Sequence, residues 1–270
     1  MNFGLIIIGD EILSGKREDK HLPKVIELLG ARGLDLRWAR YVGDDPLRIT
    51  ADLKDAFASG DVVFSCGGIG ATPDDHTRPC AAAALGVPLE LHPQARDLIL
   101  ERMRDMAQER GVPYEPERDE NRHRLNMGVF PQGAEIIPNP YNKIAGFAVR
   151  RGPGPAGVYF VPGFPVMAWP MIEWVLDTHC AGLQRERVTS EKSVIVFGSM
   201  EATLTPLMEA IERQFQGIKV FSLPSVDHPQ WGRHIELGVK GEAALLDAAY
   251  RALREGLEAH RATLGPEMVR

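Results

Sequence analysis

Short apolar runs alternate along the chain with segments of helical period, and that alternation predicts an α/β protein. Residues 4–9 form a β-branched run between glycines, the pattern of a central parallel strand covered on both faces. Over residues 19–31, Leu22, Val25, Ile26 and Leu29 recur at helical spacing, with Pro23 tolerated in the first turn. Residues 34–42 then read as a strand, 47–59 as a helix burying Ile49, Leu53, Ala56 and Phe57, and 61–66 as a second fully buried strand. A helix over 81–85 is stopped by Gly86, and another over 93–110, with Ile99, Met103 and Met106 inward, ends at Gly111. A further helix is expected over 115–127 and strands over 134–137, 146–150 and 158–161, separated by the loops 138–143 and 162–165, rich in proline and glycine. Near residue 185 the pattern restarts, with strands at 193–197, 219–223 and 234–239 and helices at 202–214 and 242–258. The expected architecture is therefore a doubly wound, mainly parallel sheet over residues 1–180 and a small β-α-β-β-α module over 188–262.

One stretch stands out from this pattern: Gly67-Gly68-Ile69-Gly70-Ala71-Thr72-Pro73-Asp74-Asp75-His76-Thr77, between a buried strand and a helix. Glycines let a ligand approach the backbone, and helix N-terminal N–H groups offer donors to a phosphate or carboxylate. The acidic pair would repel a bare phosphate, so it suits a bridging divalent cation or the N–H groups of a ring. The plainer alternative is a tight turn with Asp75 or Thr77 as an N-cap. Asp10 and Glu11 follow the first strand and Asp44 the second, which puts all three on the carboxyl rim where open α/β sheets bind ligands. Without a partner site, helix capping is the favoured reading of Asp44 and Asp45 ahead of Pro46. Residues 9–16 resemble a phosphate-binding P-loop only superficially, because the glycine spacing is one residue too long and Arg17 replaces the magnesium-binding Ser or Thr. The cluster Glu120-Asn121-Arg122-His123-Arg124 reads as a solvated helix face, and His228 and His234 as isolated residues.

Composition narrows the function classes. With 270 residues, 44% hydrophobic and 25% charged, the chain fits a soluble globular protein. A net charge of −6 argues against nucleic-acid binding, since there is no basic surface to neutralise phosphates. No stretch approaches a membrane span, a strand at the N-terminus leaves no room for a signal peptide, and Cys66, Cys80 and Cys180 have neither metal-ligand nor disulfide spacing. A cytoplasmic protein is expected.

In order along residues 1–180, the motifs Gly9-Asp10-Glu11-Ile12-Leu13-Ser14-Gly15, Val42-Gly43-Asp44-Asp45, the loop 67–77, Asn139-Pro140, Gly146-Phe147 and Pro162-Gly163-Phe164-Pro165 resemble the molybdopterin-binding, MoaB/Mog-like fold. The nearest branch is the N-terminal part of the competence/damage-inducible CinA proteins, whose following α/β module the C-terminal segment also resembles. The resemblance implies a three-layer α/β/α fold with a small-molecule nucleotide or pterin, molybdopterin included, as ligand. It further implies metal-dependent hydrolysis of ADP-ribose-type pyrophosphates with Mg²⁺, Mn²⁺ or Co²⁺, with ligand binding without turnover and adenylyl transfer to molybdopterin as alternatives. Carried across, Asp75 and Asp44 are the catalytic residues and, with Asp10, the metal ligands. Gly9, Asp10, Glu11, Gly15, Gly67, Gly68, Gly70, Thr72, Asp74, Thr77, Asn139, Gly146, Pro162 and Gly163 make up the ligand site. A homodimer or other homo-oligomer is expected. Three departures bear on these expectations. The deamidase domain that follows in CinA has no counterpart, so deamidation of nicotinamide mononucleotide is not expected. Tyr141-Asn142-Lys143-Ile144-Ala145 replaces the usual Gly-Thr-Ala-Pro run, and Met167-Ala168 stands where Glu-Met is usual. Loss of that glutamate bears on hydrolysis more than on the ligand pocket.

Overall fold

The first strand, β1 (Phe3–Ile8), has every residue buried, as a strand covered on both faces requires. The computed structural model describes residues 1–184 and 189–269, with all their side chains except those of Glu120 and Thr189. Residue 188, the expected start of the second module, lies outside the described residues. The chain divides into two compact units, Met1–Gln184 and Arg185–Arg270.

In the first unit β1 leads through a single helical turn, α1 (Asp10–Leu13), to α2 (His21–Gly30) and β2 (Leu36–Val42). Next come α3 (Pro46–Ser59), β3 (Val62–Cys66) and α4 (Thr77–Leu85), which begins four residues before the expected helix. Asp45, rather than Asp44, caps α3: its carboxylate accepts the Leu47 N–H at 2.9 Å, Pro46 holds the first helical position, and Gly60 ends the helix in left-handed geometry. The chain continues through β4 (Leu89–Leu91), α5 (Pro93–Arg110), α6 (Asp119–Leu125), β5 (Val129–Pro131), β6 (Glu135–Ile137), β7 (Gly146–Arg150), β8 (Gly157–Val161) and α7 (Pro165–His179). The pairing of β4 with β5 and the whole of α7 go beyond the sequence-based expectation. Pro165 and Pro170 obscure α7, yet its apolar stripe of Ala168, Met171, Ile172, Val175 and Leu176 is buried.

A six-stranded sheet runs in the order β2-β1-β3-β8-β7-β6. Its first four strands are parallel; β7 runs antiparallel to β8, and edge strand β6 runs antiparallel to β7. Alternation along the strands builds two cores. On one face Leu5, Ile7, Phe64 and Tyr159 pack with Val25 and Leu29 of α2 and Met171 and Val175 of α7. On the other, Ile6, Ile8, Val63 and Phe160 pack with Ile49, Leu53 and Phe57 of α3 and Ala81 of α4. Each fully buried side chain of this kind contributes roughly 1.5–3 kcal/mol, so both layers are held without polar contacts at the sheet centre. Rings of Phe130, Phe147 and Phe160 stack across the second face at centroid spacings of 4.7 and 4.3 Å.

The second unit contains β9 (Thr189–Phe197), α8 (Glu201–Gln214), β10 (Lys219–His228), β11 (Gly232–Glu242), α9 (Ala243–Ala259) and β12 (Thr263–Val269). Its antiparallel sheet has the order β10-β11-β9-β12, with Val194, Val196, Leu237 and Val239 packed on Leu246, Leu253 and Leu257. Strand β12 lies past residue 262, the expected end. Gly265 and Pro266 disguise it, and an edge position with a register shift between Leu264 and Glu267 accommodates them. Among the described residues no helix is long and apolar enough to cross a membrane, and Cys66, Cys80 and Cys180 are free and buried.

The ring stack at the centre of the second face makes one quantitative prediction. Phe147→Ala should destabilise the first unit by roughly 3–5 kcal/mol, the usual cost of emptying an aromatic site in a core. Urea unfolding followed by the fluorescence of Trp38, Trp169 and Trp174 measures it, and a loss below about 1 kcal/mol would show the stack to be peripheral.

Candidate functional site

Because β1 connects outward to β2 on one side while β3 lies on its other side, the strand order reverses between β1 and β3. Crevices at such a reversal open at the carboxyl ends of the strands. A cavity of about 460 Å³ lies there, with Gly9 after β1, Gly67 after β3 and Pro162 and Gly163 after β8 in its wall. Since β7 runs antiparallel to β8, the chain entering β7 reaches the same rim and adds Asn142, Ile144 and Ala145.

The glycine loop is fastened from beneath. Thr77, fully buried, donates its hydroxyl to the Gly67 carbonyl at 3.0 Å and its N–H to the Gly68 carbonyl at 3.0 Å. The buried Arg78 guanidinium donates to the carbonyls of Gly70, Asn126 and Val129. Burial depresses the Arg78 pKa, an effect partly offset by Asp75. In a planar trans peptide the carbonyl and the following N–H point in opposite directions. Fastening the carbonyls of Gly67, Gly68 and Gly70 therefore turns the N–H groups of Gly68, Ile69 and Ala71 away from the anchors. Among the described residues, the N–H groups of Gly68, Ile69, Gly70 and Ala71 meet no protein acceptor, and all four residues line the cavity. Such a run of donors suits an anion. Gly67 and Gly68 have φ of 105° and 66°, and a β-carbon on them would strike the Ile8 carbonyl and the Thr77 hydroxyl respectively.

Carboxylates share the same wall. Glu11, Asp44, Asp74 and Asp75 line the cavity. The Asp44 carboxyl is pushed above the ordinary carboxylate range, chiefly by burial, with the charges of Asp10, Glu11 and Asp74 adding to it against one backbone hydrogen bond. Asp44 accepts the Asp10 N–H at 2.9 Å while Asp10 accepts the Asp44 N–H at 3.1 Å, which laces the turns after β1 and β2 together. Asp75 accepts both the N–H and the hydroxyl of Thr72, at 2.8 and 2.5 Å. Neither Asp75 nor Thr77 acts as an N-cap, since His76 holds that position of α4 without a side-chain cap. The expected metal set of Asp10, Asp44 and Asp75 is not assembled: among the described residues no three His, Cys, Asp or Glu side chains converge as ligands. One Asp10 oxygen accepts the Asp44 N–H and one Asp75 oxygen accepts from Thr72, which orients both carboxylates within their own turns.

Eleven expected site residues line the cavity: Gly9, Glu11, Asp44, Gly67, Gly68, Gly70, Thr72, Asp74, Asp75, Pro162 and Gly163. Asp10, Gly15, Thr77, Asn139 and Gly146 do not. Thr77 instead anchors the loop, and Gly146 keeps β7 close to the Phe160 carbonyl of β8. Buried Asn139 shapes its own turn through Asn142 and Ile144. Gly15, at φ 71°, sits in the turn after α1.

Met127 lines the wall without any sequence signal of a site, and Phe164 and Met167, read in the sequence only as part of the 162–165 motif and in place of a usual glutamate, line it too. Arg17 is the one cationic residue among those lining the cavity; its guanidinium lies 4.0 Å from Glu11 and 5.9 Å from the Phe164 ring centre. In the sequence it figures only as the residue that breaks a P-loop pattern. His21, buried in α2, donates from Nε2 to the Gly163 carbonyl at 3.0 Å and so secures the loop after β8.

A family model described as "Probable molybdopterin binding domain" matches residues 4–180. A CinA-like protein of Anaeromyxobacter sp. (strain K) is 36% identical over 177 residues, 65% of this chain and 40% of the relative. A CinA-like protein of Syntrophotalea carbinolica is 29% identical over 276 residues, 99% of this chain and 61% of the relative. The chain thus spans less than two thirds of the length of each of these relatives. The crystal structure of the protein CinA from Thermoplasma acidophilum superposes with a TM-score of 0.53 at 25% identity, over 66% of this chain and 97% of that one.

The crowding at Asp44 has a measurable consequence. Folding raises its pKa, so the ionised carboxyl costs stability above the folded pKa, and the cost disappears as pH falls below the unfolded value near ~3.9. Asp44→Asn keeps an oxygen for the Asp10 N–H and removes the charge. Its Tm should exceed that of the unaltered protein at pH 7, and the gap should close by about pH 3.5. A lower Tm at pH 7 would mark Asp44 as a structural cap whose charge is needed.

Proposed function

The chain belongs to the molybdopterin-binding domain family, whose model matches residues 4–180, and is similar to CinA-like proteins, and from that premise we propose that the rim cavity binds a phosphorylated pterin or nucleotide. The observation that carries this reading is the run of four N–H groups over residues 68–71 that meet no protein acceptor, on residues that line the same cavity as Arg17. Together they offer donors and a positive charge to a phosphate. The acceptors Glu11, Asp44, Asp74 and Asp75 match the amino and ring N–H donors of a pterin or purine. A cavity of about 460 Å³ is of the size that takes one such ring with its phosphate. The protein's own part is to bind and orient: the N–H run fixes the phosphate, the carboxylates fix the ring, and Met127, Ile144 and Met167 exclude water from its faces.

A second reading is hydrolysis of an ADP-ribose-type pyrophosphate. Its support is the mutual repulsion of carboxylates around Asp44, which an incoming cation would relieve. Against it stands Met167, where the resemblance expects glutamate, and we derive no step through a metal. Adenylyl transfer to molybdopterin has no observation in its favour beyond the shared fold.

Calorimetric titration with neopterin monophosphate, ADP-ribose, FAD and ATP tests the proposal, with AMP release followed in Mg²⁺, Mn²⁺ or Co²⁺. Binding of at least one phosphorylated ring without AMP release is expected. Arg17→Ala should weaken that binding about tenfold, the size of one charge-assisted hydrogen bond, and leave unphosphorylated neopterin unaffected. Equal loss for both pterins would remove the phosphate from the rim, and AMP release that depends on added metal would favour hydrolysis.

A further inference from the structure

Lys143 is one of two non-glycine residues with a left-handed backbone among the described residues, at φ 66°. A residue with a β-carbon keeps that conformation only where its surroundings over-determine it. Those surroundings form a closed turn. The Lys143 N–H donates to the Asn139 carbonyl at 3.0 Å, and the Asn139 amide donates to Asn142 Oδ1 at 2.8 Å and to the Ile144 carbonyl at 2.9 Å. Tyr141 and Ile144 return their own N–H groups to Asn139 Oδ1 and Asn142 Oδ1, each at 3.0 Å.

From this turn the Lys143 side chain crosses to α5, where Nζ lies 2.6 Å from Asp105 Oδ2 and 2.7 Å from Glu101 Oε1. The two carboxylates are four residues apart and share one helix face. An exposed ion pair alone holds little, mostly because two flexible chains must be ordered to make it. Here the turn has already fixed the lysine backbone and one ammonium serves two carboxylates, so less freedom is lost for each contact.

The neighbours of Lys143 are wall residues on two sides. Asn142, Ile144 and Ala145 line the ligand cavity, while Asn142 and Ile144 also line a second cavity of about 220 Å³ with Ile99, Met103 and Met106. The turn is thus a thin partition between the two spaces, and the space behind it is apolar and walled by adaptable methionines. We propose that Lys143 is a positioning residue: its paired contacts with Glu101 and Asp105 hold the 142–145 partition forward and set the width of the ligand cavity. The consequence for ligand size rests on the binding reading above, whereas the position of the partition does not.

Hydrogen exchange of the ligand-free protein, over peptides spanning residues 139–146, reads the partition directly. Lys143→Met and the double variant Glu101→Gln/Asp105→Asn should each speed exchange there about tenfold, Lys143→Arg should restore protection, and 0.5 M NaCl should act on the unaltered protein in the direction of Lys143→Met. Affinities for AMP and FAD supply the second readout: Lys143→Met should shift their ratio at least threefold toward the larger FAD. Unchanged exchange in both charge-removing variants would overturn the proposal, and so would faster exchange with an unchanged ratio. If the unaltered protein binds neither probe, the binding reading fails and exchange alone decides the role of Lys143.

Discussion

The fastening of the glycine loop from below is the constraint on which the first unit's chemistry depends. Three carbonyls, those of Gly67, Gly68 and Gly70, are taken by Thr77 and Arg78, and peptide planarity then directs the N–H groups on their far sides toward the rim. The arrangement needs a buried hydroxyl at 77 and a buried guanidinium at 78, both at the start of α4, so the helix is as much an anchor for the loop as a cover for the sheet. It also needs glycine at 67 and 68, where the backbone is left-handed and the β1 and α4 atoms are too close for a β-carbon. Arg78 suits the role because a forked guanidinium can serve carbonyls from two separate segments, the loop and residues 126–129, which a point-like ammonium serves poorly.

The cavity above this loop mixes donors and acceptors. Arg17 lies 4.0 Å from Glu11, and Asp75 lies against Gly70 within the same loop as the N–H donors. The Asp44 carboxyl is raised because it is partly buried near Asp10, Glu11 and Asp74. Ordinary surface design would separate such charges. Repulsion kept at a cavity wall is a familiar sign that stability has been yielded to recognition.

Much of this was legible in the sequence, and the gaps have physical reasons. The buried strands β1, β3 and β8 are apolar throughout, so no competing pattern hides them, and the glycine loop between β3 and α4 announces a backbone with special freedom. Helix α7 escaped because Pro165 and Pro170 are breakers by local rule, while burial of one stripe against the sheet outweighs them. Strand β12 escaped because an edge position tolerates Gly265 and Pro266. Within the site, rim position told which carboxylates lie near one another but not where each is pointed. Asp10 turns to a backbone N–H and Asp75 to Thr72, and no sequence pattern encodes that choice. Arg17, Asn142 and Met167 reach the cavity only through the sheet order, which brings β1, β7 and β8 to a common rim.

A crystal structure of the protein soaked with neopterin monophosphate or FAD puts the central claim to its most direct test. Phosphate oxygens are expected within about 3 Å of the N–H groups of residues 68–71, with the Arg17 guanidinium closing on them. A phosphate seated away from that loop, or a ligand held only by residues 189–269, would contradict it.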